Sequence, residues 1–220
     1  FLRADSYWVQ PWVWGYGGGL VVPASKQILV GNTKSTAGMQ AYKNLFSSKC
    51  AFPNKDFSND YGNAQTAFKN GKVAMIVNGP WSTADILQGP AFKSSSNLGV
   101  LVIPKGPGGQ GSPVGGNGFV ISKSTKNADA AYKLMSYLTS GPAQAAWAKN
   151  NNLLPSRASS YKLAAVKTNR LITAFLPQTK VATARPVIPQ GGQIYSDFGP
   201  NVQKVLNGSV TARVGMLGTA

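Results

Sequence analysis

The chain has 220 residues, 43% of them hydrophobic and only 13% charged. That is enough chain to bury a core and too apolar for a disordered tail. One cysteine and no histidine exclude an internal disulfide, a multi-cysteine zinc site and every mechanism that relies on imidazole. No apolar run approaches the ~18 residues of a membrane-spanning helix.

Lys and Arg number 22 against 6 acids, for a formal charge of +16. All six acids are aspartates, Asp5, Asp56, Asp60, Asp85, Asp129 and Asp197, so paired-carboxylate chemistry has few candidates. Three readings of the charge stand open. Nucleic-acid binding needs Lys and Arg against phosphate, but the basic residues are scattered without a run of three, and only five are Arg, the residue best suited to reading bases. The excess comes from missing acids rather than dense bases. Adaptation to an acidic exterior is the favoured reading, because a surface poor in carboxylates has little to lose on protonation. Attraction to an anionic cell surface could follow from it.

Residues 1–22 are aromatic and Gly-rich, with Tyr7, Trp8, Trp12, Trp14 and Tyr16 ahead of three glycines. Met39, Tyr42, Leu45 and Phe46 repeat at helical spacing, which predicts a helix over 36–49. A second helix is predicted over 61–70, with Ala64, Ala67 and Phe68 inward and Gly71 as its stop. Val73 to Val77 is a continuous apolar run and reads as a strand buried on both faces. It ends at Asn78-Gly79-Pro80-Trp81, with a short helix expected over 81–88. Residues 98–103 and 118–122 read as further strands, separated by the Gly- and Pro-rich stretch 104–118, which reads as a loop or an interlobe crossing. Helices are predicted over 127–139, capped by Asn127, over 142–149, over 170–176 and over 193–206, the last with Gly208 just past its end. This order predicts a mixed α/β fold.

The most specific feature is Asn78-Gly79-Pro80-Trp81. A buried strand would deliver a sharp turn there and leave Trp81 at a carboxyl-terminal strand edge, where α/β proteins bind ligands. The plainer alternative is a core tryptophan on a turn, and the aromatic cluster at 7–16 has the same two readings. The run AFKNGKVAMIVNGPWSTADI, the segment VLVIPKGP, the Gly-rich crossing, GFVISKSTKNADAAYKLMSYLTS, LLPSR and PVIPQ together resemble the extracellular solute-binding proteins of the maltose/maltodextrin class, the receptors of ABC sugar importers. The resemblance runs from about residue 7 to 215 and matches the C-terminal half of such proteins.

It implies a periplasmic-binding-protein-like (type II) α/β lobe, a mixed sheet flanked by helices, with part of the second lobe. On that mapping 1–112 is a C-terminal-lobe segment, 113–165 crosses into the N-terminal lobe, and 166–220 returns. It implies an oligosaccharide ligand held by aromatic stacking in an interlobe cleft, ABC permease subunits as partners, and a missing N-terminal-lobe segment of the same protein. A monomer outside the cell or in the periplasm is expected, with no cofactor, metal, nucleic acid or catalysis. Carried over by position, the sugar platforms fall on Trp81, Tyr7 and Tyr195, and the acidic contact on Asp5. Trp12 and Trp14 lie in the same aromatic region. A basic residue expected four positions after Tyr195 is Gly199.

The competing classes are a cationic nucleic-acid or surface binder and a glycoside-processing enzyme. The latter needs two carboxylates at a set separation, and only Asp5 and Asp197 lie near the aromatic positions. Cys50 reads as inert without a histidine to activate it. Asn54, Asp56, Asn59 and Asp60 lack the regular spacing of a calcium loop.

Overall fold

The computed structural model describes residues 1–54 and 56–220. In chain order the elements are α1 (Ser6–Gly15), β1 (Val21–Val22), β2 (Gln27–Ile28), α2 (Thr33–Phe46), α3 (Asp60–Lys69), α4 (Thr83–Ile86), β3 (Ser112–Val114), α5 (Ala128–Leu138), α6 (Gly141–Asn151), α7 (Ala164–Lys167), α8 (Arg170–Thr179), β4 (Ala182–Ala184), α9 (Gly191–Leu206) and α10 (Ala212–Leu217). Short 3-10 turns occur at Pro80–Ser82, Pro90–Phe92, Ser95–Asn97 and Ala158–Lys162. The chain divides into two compact units: Phe1–Val77 with Val102–Gly115 and Gln178–Ala220, and Asn78–Leu101 with Gly116–Pro177. Residues 78–101 therefore group by contact with residues 116–177.

The first unit is built on α1. Asp5 caps it: the side chain accepts a hydrogen bond from the Tyr7 N–H at 2.8 Å. At the other end Gly17 N–H donates to the Trp14 carbonyl and Gly18 N–H to the Val13 carbonyl, which satisfies the last turn. Val9 and Val13 on this helix meet Met39 and Tyr42 of α2 and Phe198, Val202 and Val205 of α9 in one core, all less than 2% exposed. Antiparallel β1–β2 pairs Val21 with Ile28, and parallel β3–β4 pairs Pro113 with Thr183. The Gly-rich stretch docks on the end of α1, where Gly108 N–H donates to the Gly15 carbonyl at 2.7 Å.

The second unit is helical among the described residues. Ala145 and Ala148 of α6, Val166 of α7 and Ile172 of α8 form its small core, with Leu154 and Tyr161 against it. Arg170 anchors the preceding turn, its Nη1 donating to the Leu98 carbonyl at 3.1 Å. Helix α5 has no fully buried residue, and Leu134 and Tyr137 are 58% and 67% exposed.

Most predicted helices occur within a few residues of their expected bounds. Gly71 and Gly208 follow α3 and α9 with φ of +69° and +85°, the left-handed backbone a helix stop uses. Asn127 stands at the cap position of α5 but makes no side-chain cap bond. Helix α9 runs through Gly199-Pro200 without a break. Helix α1 itself was not expected: Pro11 lies inside it, and its aromatic and β-branched residues show no polar face from which to read a period.

The three expected strands are corrected. Residues 73–77, 98–103 and 118–122 are neither helical nor paired in a ladder. Residues 73–77 are also not buried on both faces as expected, Met75 being 72% exposed, and in the other two segments Leu101 and Val120 are 87% and 90% exposed while Leu98 is buried. A continuous apolar run signals that both strand faces need cover. Here no strand pairs with these three segments.

Candidate functional site

Tyr7 and Tyr195 come together in the first unit, on either side of a residue the sequence reading did not single out. Tyr7 lies in the first turn of α1, held there by the Asp5 cap. Its ring packs edge-on against Trp8 at 5.1 Å, and its hydroxyl points to the Pro113 carbonyl of β3 at 3.5 Å. Tyr195 projects from the first turns of α9, and its hydroxyl donates to Gln10 Oε1 at 3.3 Å. Gln10 is fully buried and is itself fixed by donating to the Ser6 carbonyl at 3.1 Å. Helix α1 thus positions both tyrosines, one directly and one through Gln10.

Between the rings lies Arg185, the residue that follows β4. Its guanidinium carbon is 5.4 Å from the centroid of each ring, within cation–π range. Burial pushes both tyrosine hydroxyls above their ordinary pKa, and the Arg185 charge opposes that shift. A cavity of about 520 Å³ opens alongside, lined by Arg185–Pro189, Gly191, Gly192 and Tyr195. The tight bend that shapes it is closed by Gly191 N–H donating to the Ile188 carbonyl at 2.9 Å. A basic side chain thus stands beside both tyrosines, ten residues before Tyr195, while position 199 is Gly. Its only sequence signal was a lone Arg between Ala184 and Pro186. Both tyrosines are half-buried, so each retains ring surface and the group around Arg185 combines aromatic faces with guanidinium donors.

Trp81 belongs to the second unit. It sits in the Pro80–Ser82 turn with its ring folded over Gly79, where a Cβ would lie 2.1 Å from Cζ3. Ser82 Oγ donates to the Gly79 carbonyl at 2.8 Å and closes the turn. The indole is 47% exposed. Trp12 packs edge-on against Tyr42 at 4.7 Å, against the main core. Trp14 packs against Gly111, where a Cβ would lie 2.9 Å from its own Cβ. Both are engaged in packing within the first unit.

A second cavity of about 350 Å³ is lined by residues that include Arg3, Asp5, Trp8, Asp60, Tyr61 and Gln203. Burial pulls the Arg3 pKa down to about 10, opposed by Tyr61, Asp60, Tyr42 and Asp5. Burial also raises the Asp60 carboxyl, which accepts from Ala4 N–H and from the Asn54 amide. Cys50 is exposed. Among the described residues no three acidic, His or Cys side chains are grouped as a metal site.

Comparison with known proteins places the chain in a family. The family of bacterial extracellular solute-binding proteins matches residues 19–174. The chain is 32% identical over 134 residues to the maltodextrin-binding protein MdxE of Bacillus subtilis (strain 168), covering 60% of this chain and 31% of that protein. It is 29% identical over 174 residues to the maltooligosaccharide ABC transporter solute-binding lipoprotein of Streptococcus pneumoniae (strain ATCC BAA-255 / R6), covering 78% of this chain and 40% of that protein. Among solved structures, the GacH receptor of Streptomyces glaucescens GLA.O, described unliganded and with acarbose and an acarbose homolog, superposes over 100% of this chain and 56% of its own. The TM-score is 0.94 and the identity 36%. The chain thus spans less than half the length of the curated relatives it matches. Its fold is that of the periplasmic-binding-protein-like maltose-binding proteins, and the chain belongs to the family of bacterial extracellular solute-binding proteins.

Proposed function

We propose that this chain is part of a carbohydrate receptor of an ABC importer, acting outside the cell or in the periplasm, with a maltooligosaccharide-like ligand. The observation that carries the reading is the convergence of Tyr7 and Tyr195 on Arg185 beside an open cavity. One face of a pyranose is a patch of C–H groups, which half-buried tyrosine rings can cover, while a guanidinium can donate to ring hydroxyls. Half-exposed Trp81, in the second unit, offers a stacking surface of its own. The relatives' names support the ligand class, since they are maltodextrin- and maltooligosaccharide-binding proteins. They also favour a binding protein over an enzyme.

In this reading the remainder of the ligand cleft comes from a segment outside this chain, the lobes close on the sugar by hinge motion, and the closed form meets the permease. Segments 1–112 and 166–220 belong to one lobe and 113–165 crosses to the other. The acid-poor surface fits secretion into an acidic medium.

Calorimetric titration of maltotriose into the complete protein carrying this chain tests the proposal. Tyr195→Ala and Trp81→Ala are each expected to weaken binding by roughly 1–3 kcal/mol, the scale of a lost aromatic contact. Unchanged affinity in both folded variants would sink the platform roles. A steep loss of binding to any polyanion with salt, without sugar affinity, would instead favour a phosphate-binding function.

A further inference from the structure

Arg3 is a charged side chain almost wholly removed from water, 2% exposed. Its guanidinium carbon lies 3.8 Å from the Trp8 ring centroid and 4.4 Å from that of Tyr61, one flanking residue from α1 and one from α3. Its backbone is fixed as well. Arg3 N–H donates to the Tyr42 hydroxyl at 3.0 Å, and that hydroxyl donates to the Arg3 carbonyl at 2.7 Å. Nη2 donates to the Val77 carbonyl at 3.0 Å, while Nε and Nη1 make no hydrogen bond.

A buried guanidinium with two unpartnered nitrogens is a poor device for stability alone, since an apolar side chain of similar length would avoid the desolvation. Its single hydrogen bond falls on a particular atom. Val77 ends the first of the three segments that make up the first unit, Asn78 opens the second unit, and Trp81 follows four positions after Val77. Residues 73–77 have no ladder. Two hydrogen bonds that reach their backbone run from Phe1 N to the Met75 carbonyl at 2.9 Å and from Arg3 to the Val77 carbonyl.

We infer that Arg3 is a positioning residue: its grip on the Val77 carbonyl fixes the end of the 73–77 segment, the peptide from which the Asn78–Trp81 turn starts. The planar group suits this task because two rings hold its faces while one edge reaches the carbonyl; an ammonium offers no such plane. Only the functional half of the inference rests on Trp81 being a ligand platform.

Hydrogen exchange on the complete protein, without ligand, tests the grip. In Arg3→Met, amides at 76–82, of which those of Gly79 and Ser82 are hydrogen-bonded, are expected to exchange about tenfold faster while those of α9 and α10 keep their protection. Arg3→Lys should fail to restore slow exchange. Tyr61→Leu, which removes one flanking ring, should give a smaller acceleration in the same stretch, and it speaks to the inference even if Arg3→Met does not fold. Unchanged exchange at 76–82, or a uniform rise across the first unit, would overturn the positioning role. Maltotriose titration of Arg3→Met then reads the functional half. A loss of about fivefold or more in affinity with α9 still protected supports it, and unchanged affinity with accelerated 76–82 would confine Arg3 to the backbone. Absence of sugar binding in the unsubstituted protein would refute the receptor reading and leave the exchange result to decide the grip.

Discussion

Tyr42 shows how one buried hydroxyl can organise a site. It is fully buried, accepts from Arg3 N–H and donates to the Arg3 carbonyl. Burial pushes its pKa well above the ordinary tyrosine value, so it stays a neutral donor. Tyr42→Phe would leave both Arg3 backbone groups unpartnered, and each such buried group costs ~1–3 kcal/mol. The expected loss on denaturant unfolding is about 2 kcal/mol, and a loss below ~0.5 kcal/mol would mean water reaches the vacated groups. In the sequence Tyr42 was legible as a helix-face residue and no more. Arg185 was less legible still, because a single Arg between Ala and Pro carries no pattern. It became a candidate only when β4 and α9 brought it within 5.4 Å of both Tyr7 and Tyr195.

The helices that frame the core depend on close approach at small residues. At Gly38 of α2 a Cβ would lie 2.5 Å from the Trp12 carbonyl oxygen and 2.7 Å from Val13 Cα. Those neighbours are backbone and cannot swing aside. Alanine in a free helix would be favoured over glycine by up to ~1 kcal/mol. Here Gly38→Ala should instead destabilise by at least ~2 kcal/mol, because α1 and α2 must separate. Thermal unfolding of the variant checks the sign: a raised melting temperature would show that the two helices do not pack this closely. The element scale is also where the apolar runs misled. Run length and bounding turns described 73–77, 98–103 and 118–122 as ladder strands, but a ladder is a property of two segments and neither its partner nor its register is written in one of them. Helices carry their own hydrogen bonds and their local marks were correspondingly readable, as in the Gly71 stop after α3 and the Gly141-Pro142 start of α6.

For the whole molecule the charge composition makes a prediction of its own. With six Asp, no Glu and no His, few groups titrate between pH 7 and pH 4. Asp60 is raised by burial, so its folded form binds a proton more readily than the unfolded chain. Its contribution therefore favours the fold as pH falls through the folded pKa toward the unfolded one, and is lost as pH rises through that window. Asp56 is lowered by its Ser58 hydrogen bonds. Its stabilisation is present above the unfolded value and lost as pH falls through the folded one, but the group is fully exposed and counts for little. The +16 repulsion, increased by protonation, is screened beyond ~8–10 Å at ordinary salt. The melting temperature is expected to hold between pH 7 and pH 4. A fall of more than ~10 °C, on the order of 3 kcal/mol at this size, would show that the missing acids serve some other end.

Composition, caps and period by themselves determined the helical framework, the α/β class and the absence of imidazole chemistry, because each is local or additive along the chain. The family was legible in the motif ending at Trp81 and in the order of the segments around it. Tertiary structure alone decided that α1 forms across Pro11, that Trp12 packs against the core and Trp14 against Gly111, and that Asp5 caps the helix carrying Tyr7. It alone set Arg185 between two tyrosines from distant parts of the chain, and Arg3 on the carbonyl of Val77. Those are relations between segments far apart in sequence, and no local pattern encodes a distance between residues 7, 185 and 195.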